Sequence, residues 1–190
     1  MLVAGLLLAA GAGKRFGEPK ALVRVRGEPM VRGALGVLAD GGCSQVCVVL
    51  GARADEVRAE LPDDAQTVYA PAWETGMGAS LRMGLHHLAA LNPAPDAAVV
   101  HLVDLPDVPA AAVARVAALA STRALARACF DGVPGHPVLL GSHWWAEIAE
   151  AVVGDRGARD WLRTRDDLVA VECADLATGA DVDTPDALNP

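Results

Sequence analysis

The chain has 190 residues, 53% of them hydrophobic, and a formal net charge of -8 at pH 7. That apolar content fills one well-buried core but not two, so a single domain over residues 1–190 is expected. The acidic balance argues against a general nucleic-acid binder, whose attraction to a phosphate backbone needs a basic face. Four cysteines, Cys43, Cys47, Cys129 and Cys173, show no zinc spacing and read as buried free thiols of a reducing cytoplasm.

The opening run MLVAGLLLAA is apolar enough to imitate an export signal, but Lys14 and Arg15 follow it, the reverse of the secretory order. No later stretch reaches the ~18 apolar residues of a membrane span. Residues 3–8 are therefore expected as a buried first strand. A helix follows over 29–39, a strand over 45–50, a helix over 54–61 and a strand over 66–69. The next helix, 79–91, carries Leu81, Leu85 and Leu88 at helical spacing. Strand 97–103 is nearly all apolar, and helix 110–119 repeats the helical spacing in Val113, Val116 and Leu119. Strand 124–129, a shorter strand 137–140, helices 143–152 and 158–163, and strand 168–172 complete the chain.

Strands alternating with helices predict an α/β domain of three layers, a mostly parallel central sheet with helices on both faces. Ligands of such sheets sit beyond the carboxyl ends of the strands. The loops after Leu8, Tyr69 and Val103 should line the site.

The loop after the first strand reads LAAGAGKRFGEPK from Leu8 to Lys20. Small residues at Ala9, Ala10, Gly11 and Gly13 let a backbone approach a ligand, and free N–H groups there can cradle phosphate oxygens. A dinucleotide fingerprint starting at Gly11 would need glycine where Phe16 stands, and a P-loop ending at Lys14 would need Ser or Thr in place of Arg15. What remains is a cluster of cations, Lys14, Arg15 and Lys20, suited to a triphosphate. Lys14 and Lys20 are the only two lysines of the chain, and a compact ammonium on a flexible stem can follow a phosphate as its charge redistributes. A solvated basic turn is the simpler alternative, against which Gly17, Pro19 and the apolar Ala21 and Leu22 speak.

Asp104 ends the most apolar strand, and the Leu105-Pro106-Asp107 break turns it into the cleft, where it suits Mg²⁺. Asp107 reads instead as a turn or helix cap before Pro109. Asp181 and Asp183 share one face of an extended segment, and one of them could complete a metal site. Asp183 has a rival role as cap of a final helix near Pro185.

Residues 75–80, which include Gly78 and Ser80, precede an amphipathic helix whose positive end can receive an anion. Ser80 reads equally as a phosphate ligand or as an N-cap. His136, between Gly135 and Pro137, reads as a turn residue held in a fixed direction, either on substrate or not. Asp155 is expected to cap the next helix while Arg156 or Arg159 reaches the pocket. His86 and His87 are expected at the surface, and Trp144 and Trp145 as packing residues, one inward and one at a rim.

The run from Leu8 to Lys20 resembles the signature of the MobA-like nucleotidyltransferases. Later segments resemble the molybdenum cofactor cytidylyltransferases: WETGMGASL from Trp73, Asp104-Leu105-Pro106, Gly135-His136-Pro137, GDRGAR from Gly154, and DVDTP from Asp181. The resemblance spans the chain and implies a Rossmann-like nucleotide-diphospho-sugar transferase fold. It implies Mg²⁺ on Asp104 and Asp183, with Asp181 in reserve, and nucleotide contacts from Leu8, Ala9, Ala10, Gly11, Gly13, Lys14, Arg15 and Lys20. Arg15, Lys20 and Asp104 take the catalytic roles, while Gly78, Ser80, His136 and Asp155 meet the acceptor. That acceptor is a phosphorylated pterin, whose phosphate attacks the α-phosphorus of a nucleoside triphosphate, CTP favoured, and a molybdoenzyme receives the product. The family usually carries asparagine three residues before the tryptophan, where this chain has Ala70. A guanylyltransferase, a sugar-phosphate nucleotidyltransferase and a non-catalytic nucleotide- or cofactor-binding module remain as alternatives.

Overall fold

A computed structural model of the protein describes residues 1–183; Thr184 and Pro185, part of the last motif, and the cap proposed near Pro185 lie outside the described residues. Strand β1 (Val3–Ala9) is buried along its whole length. It is followed by a two-strand ribbon, β2 (Arg24–Val25) and β3 (Glu28–Pro29), which the sequence reading did not anticipate. Then come α1 (Met30–Asp40), β4 (Gln45–Leu50), α2 (Ala54–Ala59), β5 (Gln66–Tyr69), α3 (Met77–Ala89), β6 (Ala97–Leu102) and α4 (Ala110–Ala117). The chain continues through β7 (Leu125–Phe130), β8 (Val133–Gly141), α5 (Trp145–Ala151), α6 (Arg159–Leu162) and β9 (Val169–Glu172).

Seven strands form one sheet in the order β5-β4-β1-β6-β8-β7-β9. All neighbouring pairs are parallel except those of β8, which runs antiparallel to both β6 and β7. The expected three-layer architecture is present. Alternation along β1 builds both layers, with Leu7 and Ala9 facing one core and Leu6 and Leu8 the other. The first core packs α1 and α4 through Val31, Leu38, Val113 and Val116. The second packs α3, α5 and α6 through Leu81, Leu85, Leu88, Ile148 and Leu162. Gly84 lets α3 lie close on the sheet, since a Cβ there would meet Leu6 Cδ1 at 2.6 Å.

Several expectations need correction. Leu119 lies beyond the end of α4 and is 45% exposed, because the helix stops before the third apolar position. The short strand at 137–140 is the end of the nine-residue β8, so His136 sits within a strand and not in a turn. Helix α3 begins at Met77, with Gly76 at its N-cap, so Ser80 lies inside the first turns and caps nothing. Trp145 is buried and Trp144 half-buried, as expected, and all four cysteines are buried and free. Among the described residues no helix is long and apolar enough to cross a membrane.

Candidate active site

The carboxyl ends of β1, β5 and β6 open into one cleft of about 760 Å³. It lies where the connections from β1 and β6 diverge across the sheet, the usual ligand position of open α/β folds. Leu8, Ala10, Gly11, Ala12, Gly13, Lys14, Arg15 and Lys20 line it from one side. Ala9 does not: it pairs with Leu50 and is buried in the core. Gly13 shapes the loop. Its φ is +61° and a Cβ there would fall 1.8 Å from the Glu18 carbonyl oxygen, while its own carbonyl accepts from the Phe16 and Gly17 N–H groups at 2.8 and 2.9 Å.

Facing the loop stands Asp104, just past β6. Lys20 Nζ donates to Asp104 Oδ2 at 2.7 Å and to Asp183 Oδ1 at 2.6 Å. Arg15 donates to the other oxygen of Asp183. Lys20 and Asp104 have side chains only 17% and 19% exposed, so this contact is screened far less than a surface pair. Burial alone lowers the pKa of Lys20, but its two carboxylate partners outweigh that and raise it above the ordinary 10.5. The Lys20 hydrogen bond holds Asp183 below 3.8 against the weaker opposing effect of desolvation. Asp104, Asp181 and Asp183 bring one carboxylate oxygen each within 4.8 Å of one another.

The tail that carries Asp181 and Asp183 is fastened at two places. Asp107 accepts from the Thr178 N–H at 2.9 Å, so it anchors the tail and does not cap α4, whose N-cap is Pro109 with no side-chain bond. Buried Val182 packs with Val23 and Met30, and its N–H donates to the Asp104 carbonyl at 2.9 Å.

The opposite wall is formed by Trp73, Glu74, Gly76, Met77, Ser80 and Asp155. Gly76 (φ +117°) and Met77 put the N-terminal end of α3 on the cleft. Ser80 is 4% exposed and borders it. Gly78 does not border it: a Cβ there would sit 3.0 Å from the Val153 backbone nitrogen, so Gly78 is a close-packing residue against the 152–154 segment. Arg82 fixes that segment by donating to the Ala149 carbonyl at 2.7 Å and to the Val152 carbonyl. Asp155 makes no helix-capping bond, which corrects that reading of it, and it faces the cleft on the side where the resemblance places the acceptor. His136 lies outside the main cleft, in an adjoining chamber with Arg127, Arg156 and Arg159. Burial, reinforced by His101 and then Arg127, pushes the His136 pKa down to about 3, so its imidazole is neutral.

Trp73, Glu74, Gly76 and Met77 fall within the quoted WETGMGASL motif, of which only Gly78 and Ser80 are expected at the site from sequence. Gly51 was missed altogether: a Cβ there would meet the Ala10 oxygen at 2.6 Å and Trp73 Cγ at 2.7 Å, so it lets the two walls meet.

The family follows from a match to the MobA-like NTP transferase domain over residues 5–169. The chain belongs to this family. It is thereby a nucleotidyltransferase-class enzyme with a nucleoside triphosphate as the family's ligand. Nicotine blue oxidoreductase of Paenarthrobacter nicotinovorans is 36% identical to it over 193 residues, 96% of this chain and 92% of that protein. A nucleotidyl transferase from Methanothermobacter has the same fold at 22% identity, with TM-score 0.82 over 96% of this chain and 92% of that one. Rv0371c of Mycobacterium tuberculosis H37Rv is 27% identical, with TM-score 0.81 over 98% and 95% of the two chains. It has also been solved in complex with manganese, a match of 25% identity, TM-score 0.76, covering 96% and 94%.

Proposed function

We propose that the enzyme transfers a nucleotide, CMP from CTP by preference, to the phosphate of a phosphorylated pterin such as molybdopterin and releases pyrophosphate. The observation that supports this most is the contact of Lys20 with both Asp104 and Asp183 at the mouth of a glycine-rich loop. Cations for a triphosphate and carboxylates for a metal stand together there.

The donor set fits a divalent cation, since three carboxylates within 4.8 Å offer the hard oxygens that Mg²⁺ or Mn²⁺ prefers. Asp104 and Asp183 would hold it, with Asp181 beside them, and it would neutralise charge on the phosphates. The manganese complex of Rv0371c supports a divalent ion in a relative of this fold. A triphosphate would compete with the carboxylates for Arg15 and Lys20, which would leave the carboxylate oxygens free to hold the ion. Arg15 and Lys20 then clamp the triphosphate, and the backbone around Gly13 fixes its path. The end of α3, with Ser80, receives the acceptor phosphate. That phosphate is already an anionic nucleophile, so alignment and charge neutralisation carry the reaction without a covalent enzyme intermediate.

The test is pyrophosphate release with Mg²⁺, each of the four triphosphates and molybdopterin. Release with CTP above the other three supports the proposal, and no release with any triphosphate overturns it. The likeness to Nicotine blue oxidoreductase favours a second reading: the cleft holds the pyrophosphate of a reduced nicotinamide dinucleotide, which passes a hydride, with a proton from solvent, to a quinoid heteroaromatic ring. Loss of reduced-nicotinamide absorbance upon adding such a dye, without pyrophosphate release in the first assay, would favour this reading.

A further inference from the structure

Beside the main cleft lies a chamber of about 240 Å³, and the two share Leu8, Met77 and Asp155. It is smaller than the ~300–1,000 Å³ of a complete small-molecule site, so it suits one end of a ligand whose other end is in the cleft. Its floor, which includes Val100, Val138 and Leu140, is made of aliphatic side chains that stand on the neighbouring strands β6 and β8. Such a floor takes the face of a planar ring.

The rim is of the opposite character. Arg127 projects from β7 into the chamber and is half-buried. Among the described residues its guanidinium makes one hydrogen bond, Nε to the Gly135 carbonyl at 3.1 Å, and no ion pair. Arg159 borders the same space, and the two cations repel. Burial is the main cause that depresses the Arg127 pKa; Cys129 opposes it, and the repulsion from Arg159 adds a smaller push in the same direction as burial. A desolvated cation with spare N–H donors and a like charge beside it is costly unless an anion arrives. His136 adds a neutral imidazole that can donate or accept.

We infer that this chamber is the acceptor-ring subsite, that it selects a planar heteroaromatic ring with an anionic edge, and that Arg127 is the residue that reads that edge. The inference rests on the proposed two-substrate reaction only in giving the ring's owner its role; binding of the ring is a property of the chamber itself.

The test uses the intrinsic fluorescence of pterins. The full chain is titrated with pterin-6-carboxylate and with 6-hydroxymethylpterin, which has the same ring without the charge. The anionic ring binds the native chain at least about 10-fold more tightly, the value of one hydrogen bond to a charged group. Arg127→Gln abolishes that selectivity, Arg127→Lys restores part of it, and Arg159→Gln weakens it less. A loss of structure would weaken both ligands together and leave the ratio unchanged, so the ratio isolates recognition. Equal affinities in the native chain, or a ratio unmoved by Arg127→Gln, overturn the inference. A parallel titration with Mg²⁺ and CTP separates the two claims. If CTP fails to bind while the pterin selectivity stands, the nucleotidyl-transfer proposal falls and the chamber assignment survives; intact CTP binding with no selectivity has the reverse meaning.

Discussion

The two walls of the cleft are built in different ways. The cationic wall comes almost entirely from one stretch, Leu8 to Lys20, that follows a single buried strand, with Asp104 at the end of the neighbouring strand. The opposite wall and its chamber are assembled from the start of α3, β7, β8 and the 154–159 segment. The first wall is held by ion pairs and a glycine turn, the second by packing of Gly78 against the 152–154 backbone and by Arg82 on the end of α5. A change on the first wall should therefore act on chemistry with the fold intact. A change behind the second should act on stability as well.

The largest effect expected is on the cationic wall. Lys20→Ala should retain a native circular dichroism spectrum and lower turnover by roughly 10²–10³, the usual cost of removing one such charge clamp. Near-normal turnover would remove Lys20 from the machinery. Behind the sheet, His101 provides a contrasting effect on stability. It is fully buried, and among the described residues neither ring nitrogen has a hydrogen-bond partner; burial, slightly opposed by Asp107, pushes its pKa from 6.5 down to about 4. The unfolded chain takes up a proton below pH 6.5 and the folded one does not until about pH 4, so stability falls as pH is lowered through that window. The loss attributable to this residue is on the order of 3 kcal/mol. His101→Leu should flatten that part of the curve of unfolding free energy against pH, and an unchanged slope would contradict it.

The second wall should respond more moderately. Gly78→Ala forces a Cβ to 3.0 Å from the Val153 nitrogen and should destabilise by about 1–3 kcal/mol, the range for overpacking. Ser80→Ala should leave the melting temperature nearly unchanged but raise the KM for the acceptor. If Gly78→Ala proves neutral to stability, the wall is softer than its packing indicates. The smallest effect is expected at the cation–carboxylate cluster itself under acid. Asp183 has a depressed pKa, so its contribution is complete above the ordinary 3.8 and fades as pH drops through its folded value. Asp183→Asn should remove that acid-dependent component, visible as a shallower loss of stability below pH 4.

The difference between the walls also explains what the sequence conveyed. Strands, helices and their layers were readable because alternation in β1 and helical spacing in α3 record burial directly. The cationic loop was readable because its chemistry is contiguous, and Asp104 because a strand end places it. The second wall was misread at several residues for a common reason. For Gly78, His136 and Asp155 the sequence shows only the immediate neighbours, whereas their roles depend on what packs across from them. Gly78 looked like a phosphate-binding glycine but is a packing glycine; His136 looked like a turn residue but lies on an antiparallel strand. Arg127 carried no local signal at all, because an arginine in a strand acquires meaning only from the unpaired pocket it enters. Asp107 likewise revealed its partner, Thr178, only across 71 residues of chain.

The pairing of cations with carboxylates at the cleft mouth is tested most directly by Mg²⁺-dependent pyrophosphate release from CTP and molybdopterin, measured for the native chain and Asp104→Ala side by side. The native enzyme should release pyrophosphate only when both Mg²⁺ and the acceptor are present, and the variant should fold normally and fall by roughly 10²–10³. Equal release by the two proteins, or release that is indifferent to Mg²⁺, would contradict the role assigned to Asp104.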